Sequence, residues 1–128
     1  MKELTAEELL FFDRHQDLLP LYIAWTEGLS RRFPGFSVKV CKTQISFFSR
    51  RLFACVSFLR VKKRADTPAS YLTLTLGLPA PLSSDRVAVQ TEPYPGRWTA
   101  HIPLYSLDDL DEELWDWTAQ AHAFSERK

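Results

Sequence analysis

The residues of this chain that could do chemistry are cations, hydroxyls and a histidine in the middle of the sequence. In KVCKTQISFFSRRLFACVSF, residues 39–58, two apolar runs are interrupted by Lys42-Thr43-Gln44 and by Ser49-Arg50-Arg51. Further along, Arg97 and His101 stand four residues apart, so they share a face if that segment is a strand. Arginine holds phosphate or carboxylate through a fork of N–H donors, and histidine changes its charge near neutral pH. These residue types predict the binding of an anion.

A sheet is needed to bring these residues together, and the alternation of side chains predicts one. In residues 71–78, leucines alternate with Tyr71, Thr73 and Thr75, and residues 97–102 alternate in the same way. One face should therefore carry the apolar side chains and the other the hydroxyl, imidazole and guanidinium groups. A sheet exposed on one face is polar there in any case, so the pattern also fits plain solvent exposure. The residues predicted to bind a ligand are Lys42, Gln44, Tyr71, Arg86, Arg97, Trp98 and His101.

Charge is distributed unevenly along a chain whose formal net charge is zero. Residues 31–64 contain ten Lys and Arg and no Asp or Glu, whereas residues 106–128 contain seven Asp and Glu against two Lys and Arg. Either the acidic helices neutralise the basic strands, or the basic segment is an exposed surface for nucleic acid or an acidic protein. The residues of this second hypothesis, a basic patch, are Arg50, Arg51, Lys62, Lys63 and Arg64.

Signatures of catalysis and of tightly bound groups are missing from the sequence. It has neither a Gly-rich phosphate-binding motif nor a G-x-S-x-G nucleophile elbow. His15, His101 and His122 lack the spacing of metal ligands. Cys41 and Cys55 form no C-x-x-C pair and are predicted to be buried thiols. We therefore expect a non-catalytic module without a cofactor or a metal.

Helix and turn signals predict the order of the elements. Thr5 and Glu8 form a capping-box pattern that begins a first helix, which should end near residue 14 or 15. Asp17 should cap a second helix with Pro20 in its first turn. Short strands follow, and one of them is predicted over residues 86–92. Tyr94-Pro95-Gly96-Arg97 predicts a type II turn between that strand and the next one.

The last helix gives the clearest pattern in the sequence. Its apolar residues recur at steps of three and four from Leu107 to Phe124, and Ser106 or Asp108 could cap it. Consecutive strands with short links favour an antiparallel sheet. The prediction is one α+β domain over residues 1–128, with two N-terminal helices, an antiparallel sheet of about six strands and a C-terminal helix packed on one sheet face.

The N-terminal residues show no secretory signal, and no apolar run reaches the roughly 18 residues that a membrane span needs. We therefore expect a cytoplasmic protein without a membrane partner. The expected partner is a small anionic ligand, with nucleic acid as the alternative. Aromatic-rich edge strands could also pair two copies of the chain into a homodimer.

Four segments resemble a family of small bacterial proteins classed as a domain of unknown function. They are KTQISFFSRRLFACVSF, YLTLTLGL, PYPGRWTAHI and LDDLDEELWDWTAQAHAF, and the similarity extends from Phe11 to Phe124. The layout is similar to YdhG-like domains. The resemblance implies an α+β domain with a curved antiparallel sheet, and it implies no established activity. Family members often carry two histidines after R-W-T, whereas here Ala100 replaces the first and only His101 remains.

Overall fold

The helices lie at the two ends of the chain and the strands lie between them. The computed structural model describes residues 4–60 and 71–127. The elements in chain order are α1 (Ala6–Phe11), a 3-10 helix (Gln16–Leu18), α2 (Leu19–Arg32), β1 (Ser37–Val40), β2 (Gln44–Phe48), β3 (Leu52–Ser57), β4 (Leu72–Leu78), β5 (Val89–Tyr94), β6 (Arg97–Leu104), a second 3-10 helix (Leu107–Asp109) and α3 (Glu112–Glu126).

Six strands of the described residues form one antiparallel sheet in the order β1-β2-β3-β4-β6-β5. Strand β6 lies between β4 and β5, so it pairs with both neighbours. The C-terminal helix α3 packs against β3 and β4. These features confirm the predicted α+β layout, with an antiparallel sheet and a C-terminal helix on one of its faces.

The hydrophobic core lies between the helices and one face of the sheet. The four leucines of β4 are fully buried in it. Trp25 of α2 packs on Phe47 of β2 with ring centroids 5.8 Å apart, and it stacks on Trp115 of α3 at 5.2 Å. The two helices meet closely at Gly28, where an added Cβ would lie 2.3 Å from Cζ2 of Trp115. Side chains on the other strand positions therefore point away from the helices.

The predicted capping box at the start of α1 is confirmed. The Thr5 hydroxyl accepts a hydrogen bond from the Glu8 N–H at 3.1 Å, and the Glu8 carboxylate accepts one from the Thr5 N–H at 2.9 Å. Glu8 is fully buried and also accepts a hydrogen bond from the hydroxyl of Tyr22. Burial and this carboxylate hold the pKa of the Tyr22 phenol well above its usual range. The box therefore also joins α1 to α2.

The N-terminal helices begin and end differently from the prediction. α1 ends at Phe11, because the next N–H groups bond to carbonyls three residues back and tighten the chain. Asp17 lies inside the 3-10 helix and does not cap α2, whose N-cap is Leu18 without a side-chain hydrogen bond. Pro20 does lie in the first turn of α2.

The C-terminal helical region begins in two steps. Ser106 and Asp109 form a capping box around the second 3-10 helix, and the chain then leaves helical geometry at Leu110. Asp111 caps α3 by accepting the Leu114 N–H at 3.0 Å. The predicted start of this helix at Ser106 or Asp108 was therefore wrong for α3, although Ser106 does cap the turn before it.

Two short turns set the ends of the sheet. Gly96 has φ +79°, which a type II turn requires at its third residue, and Tyr94 pairs with Arg97 across the hairpin, as predicted. At the other side of the sheet, the Cys41 N–H donates to the Gln44 carbonyl at 2.8 Å across Lys42-Thr43. Lys42 is therefore part of a two-residue turn between β1 and β2.

Candidate functional site

Rows of small polar side chains cross the sheet on the face away from the helices. The strand register places Ser46, Cys55, Thr75 and His101 in one row, and Gln44, Ser57, Thr73 and Pro103 in the next. We call these residues, together with Lys39, Gly77, Arg97 and Thr99, the polar face. Its inner members Ser46, Cys55, Ser57 and Thr73 are buried, and a ligand would meet the less buried Lys39, Arg97, Thr99 and His101. The alternation predicted from the sequence for β4 and β6 places these residues as expected, because the leucines between them fill the core.

The polar face carries positive charge without compensating carboxylates in its strands. The strands β1, β2, β3, β4 and β6 contain no Asp or Glu, and β5 contains only Glu92. Lys39 and Arg97 are the fully charged side chains on this face of these strands. An anion near the face would meet donors and cations instead of the repulsion that a carboxylate causes.

Arg97 lies over the backbone of Gly77. An added Cβ at Gly77 would be 2.7 Å from Nη2 of Arg97 and 3.1 Å from its Cζ, so any larger residue would displace the guanidinium. Gly77 stands between the buried Leu76 and Leu78, and this position points to the polar face. Among the described residues Arg97 forms no salt bridge.

His101 is held by a hydrogen bond to its cross-strand neighbour. Its Nδ1 lies 2.8 Å from Oγ1 of Thr75, which in turn pairs with Cys55 of β3. Burial lowers the pKa of His101 and raises the pKa of Cys55, so the neutral forms of both are favoured.

Arg97 and His101 are related through two positions of β4. Gly77, below the guanidinium, is two residues from Thr75, which pairs with His101. Two residues of a strand span about 7 Å. Thr99, opposite Gly77, supplies a hydroxyl between them.

Four of the predicted ligand-binding residues share the polar face. Besides Arg97 and His101 they are Gln44, whose Nε2 donates to Ser46 Oγ at 2.9 Å, and Tyr71. Tyr71 is buried beside Tyr105 with ring centroids 5.5 Å apart, and the Arg60 guanidinium lies 5.2 Å from its ring. These contacts place Tyr71 at the end of the face opposite Arg97.

The structure does not bring Arg86 and Trp98 together with this group. Trp98 pairs with Leu78 and packs against the core, on the opposite face from Arg97. Arg86 forms salt bridges with Asp111 at 2.8 Å and Glu113 at 3.1 Å. Its guanidinium also donates to the Asp109 carbonyl at 2.7 Å, so it joins the segment before β5 to the start of α3. These contacts also explain why β5 begins at Val89 and not at residue 86.

The remaining predicted cations are dispersed. Lys42 is exposed in the β1–β2 turn at the far side of the sheet. Arg50 and Arg51 are exposed between β2 and β3. Lys62, Lys63 and Arg64 lie outside the described residues. Among the residues that are described, the only salt bridges are those of Arg86, so no direct ion pair there neutralises Lys42, Arg50 or Arg51.

The family of the chain is shown by comparison with known proteins. The family model described as a domain of unknown function, DUF5655, matches residues 7–125. The chain belongs to the DUF5655 family. No curated protein and no solved structure matches this DUF5655 domain significantly. The similarity to YdhG-like domains and the bacterial origin stay predictions.

Two further findings concern the described residues of this DUF5655 domain. Within residues 4–60 and 71–127, no three His, Cys, Asp or Glu side chains come together as a metal site would require. In the same residues, none of the helices has both the length and the apolar character needed to cross a bilayer.

Sequence reasoning missed two parts of this site. Gly77 was predicted only as one position of an alternating strand. Nothing in the sequence indicates that Arg97 from β6 lies over it. The bond between Thr75 and His101 depends on the register between β4 and β6, which the sequence pattern does not determine. The interruption of the leucine–threonine alternation at Gly77 is the one signal that could have been used.

Proposed function

We propose that this domain is a non-catalytic module that binds a small anionic ligand, such as a nucleotide or another phosphorylated metabolite, on the polar face. The observation that carries the proposal is the position of Arg97 over Gly77, without a carboxylate partner among the described residues. A guanidinium in this position offers its N–H fork to an incoming phosphate or carboxylate.

The neighbours of Arg97 support the same ligand class. The strand register sets Thr99 opposite Gly77 and His101 opposite Thr75, so a hydroxyl and an imidazole are the polar neighbours of the Arg97 position on this face. A bound anion would favour the charged form of His101, so binding should raise its pKa above that of the free protein. Two groups near His101 could act as nucleophiles among the described residues, namely the Thr75 hydroxyl, which is hydrogen-bonded to the imidazole, and the Cys55 thiol, which is buried and has a raised pKa. We assign Thr75 the role of orienting the His101 ring, so the proposed role is binding and not catalysis.

The test is a panel of inorganic phosphate, a nucleotide, a sugar phosphate and a dicarboxylate, measured by thermal unfolding and calorimetry. A ligand at about 100 times its dissociation constant stabilises the folded state by about 2.7 kcal/mol, which shifts the midpoint on the order of 5–10 °C. We expect one anion class to bind, Arg97→Ala to abolish the shift, and Arg97→Lys to keep part of it because only the fork is lost.

Arg50→Ala is the matched control, because it removes an exposed cation from the connection between β2 and β3, away from the proposed site. Equal losses in Arg97→Ala and Arg50→Ala would mean that the anion responds to overall charge and not to the polar face. No midpoint shift with any anion would overturn the proposal.

The alternative function is a basic patch for nucleic acid or an acidic protein. What supports it is the exposure of Arg50 and Arg51, which form no salt bridge among the described residues. The test is binding of a short DNA. An affinity that falls steeply with salt concentration, and that both Arg50→Ala and Arg51→Ala reduce, would favour this alternative. DNA binding that is absent or insensitive to salt would contradict it.

A further inference from the structure

A cleft of about 930 Å³ lies at the end of the sheet where α1 meets the β1–β2 turn and the residues that follow β3. Its size is in the range of cavities that hold small organic ligands. Neither Arg97 nor His101 is among its lining residues, so the cleft is separate from the anion site proposed above. The polar row that ends in Gln44 and Ser57 reaches its wall.

The cleft has apolar walls, some of which are exposed. Leu10 is 73% exposed and Leu59 is 52% exposed, although both side chains are large and apolar. Phe58 is held between His15, with ring centroids 3.9 Å apart, and Phe11, at 5.0 Å. A ligand with an apolar body would cover these surfaces and remove them from water.

Charges of both signs line the cleft from different elements. Asp13 and Arg14 follow α1, Glu7 lies within it, and Lys42 projects from the β1–β2 turn. All four are exposed, and none of them forms a salt bridge within the part of the chain that the structure describes. Their charges therefore remain available to a ligand. The carboxylates suit an ammonium group, and Lys42 suits a carboxylate.

We propose that this cleft binds a peptide-like zwitterion, namely an apolar amino acid or a short apolar peptide with free amino and carboxyl ends. The ammonium group faces Asp13 and Glu7, the carboxylate faces Lys42, and the apolar side chains cover Leu10, Leu59 and Phe58. The inference rests on the combination of apolar walls with unpaired charges of both signs, and it does not depend on the proposed function.

The test uses calorimetry with tri-leucine, its N-acetylated form and its C-terminal amide, with leucine and phenylalanine as shorter probes. We expect zwitterionic tri-leucine to bind and each capped form to bind about tenfold more weakly, as the loss of one charge-assisted contact implies. Lys42→Ala should weaken tri-leucine binding about tenfold while leaving the affinity of the amide unchanged. Asp13→Asn should likewise weaken tri-leucine binding about tenfold while leaving the affinity of the N-acetylated form unchanged.

Two matched variants make the result specific. Leu10→Ser removes an exposed apolar wall and should weaken all forms, whereas Leu107→Ser, which changes a leucine that is 57% exposed outside the cleft, should change none. Arg97→Ala should leave tri-leucine binding intact, so failure of the anion proposal does not affect this test. Equal affinities for the free and capped peptides, or no binding at millimolar concentration, would overturn the inference.

Discussion

At the scale of single residues, the candidate anion site depends on a glycine as much as on its charged groups. Gly77 leaves the space in which the Arg97 guanidinium lies. Residue types alone indicated Arg97 and His101 as a pair, and the structure places both on the polar face. The supporting residues could not be predicted, because they depend on which residue of β4 stands opposite which residue of β6.

Gly77→Ala should weaken anion binding while leaving the free energy of unfolding nearly unchanged. The added methyl group would displace the flexible end of Arg97 and not the backbone, so the free energy of unfolding should change by less than about 1 kcal/mol. Anion binding should weaken nearly as much as in Arg97→Ala. Urea unfolding and calorimetry of the same variant would test this, and unchanged anion affinity would contradict the assigned position of the guanidinium.

His101 should make stability depend on pH in the mildly acidic range. Burial lowers its pKa in the folded state, so folding favours the neutral imidazole. Its contribution to the free energy of unfolding is complete above the unfolded pKa of about 6.5 and is lost as the pH falls through the lower, folded value. In urea titrations between about pH 7 and pH 5, His101→Gln should lose less stability than the unmodified chain. Parallel losses in the two proteins would contradict this.

At the scale of elements, the sequence predicted which segments are helices and strands better than it predicted their ends. The periodicity of apolar residues predicted the strands and the last helix, because a strand or helix that is buried on one face must carry its apolar residues at regular spacing. The ends depend on contacts between distant segments. Arg86 is held at the start of α3 by Asp111 and Glu113, and so the expected strand begins three residues later.

The contact between α2 and α3 leads to a second test at this scale. Gly28→Ala would place a methyl group 2.3 Å from the Trp115 ring, which is buried between Trp25 and the Arg32 guanidinium. The ring cannot move freely, so we expect a loss of about 1–3 kcal/mol in the free energy of unfolding. Ala24→Gly on the same helix is a control for backbone effects. A neutral Gly28→Ala variant would mean that the two helices can separate without cost.

At the scale of the whole molecule, one core connects helices from both ends of the chain with the sheet. Trp25, Trp115 and Trp117 all lie in that core and Trp98 packs against it. We therefore expect the predicted single domain to unfold in one transition. Tryptophan fluorescence and far-ultraviolet circular dichroism should give the same urea midpoint. Separate midpoints would show that part of the chain unfolds independently.

The predicted fold class needed only local patterns, but the predicted ligand set needed distances across the sheet. The sequence predicted that Lys42 and Arg97 bind the same ligand. In the structure Lys42 belongs to the turn after β1, whereas Arg97 begins β6, which is four strands away from β1 in the sheet order. The two residues therefore belong to two different proposed sites, one in the cleft beside α1 and one on the polar face, and alternation alone could not distinguish them.

The two edges of the sheet have a consequence for how the protein behaves at high concentration. With a formal net charge of zero, copies of the chain repel one another little at neutral pH. The unpaired edges of the sheet are then the places where strands of another copy would add. β5 carries Pro93 and an irregularity between Thr91 and Tyr94, and β1 has only four residues, including the exposed Lys39. Such edges are poor templates for adding strands from another molecule, so the domain should stay dispersed near its isoelectric point.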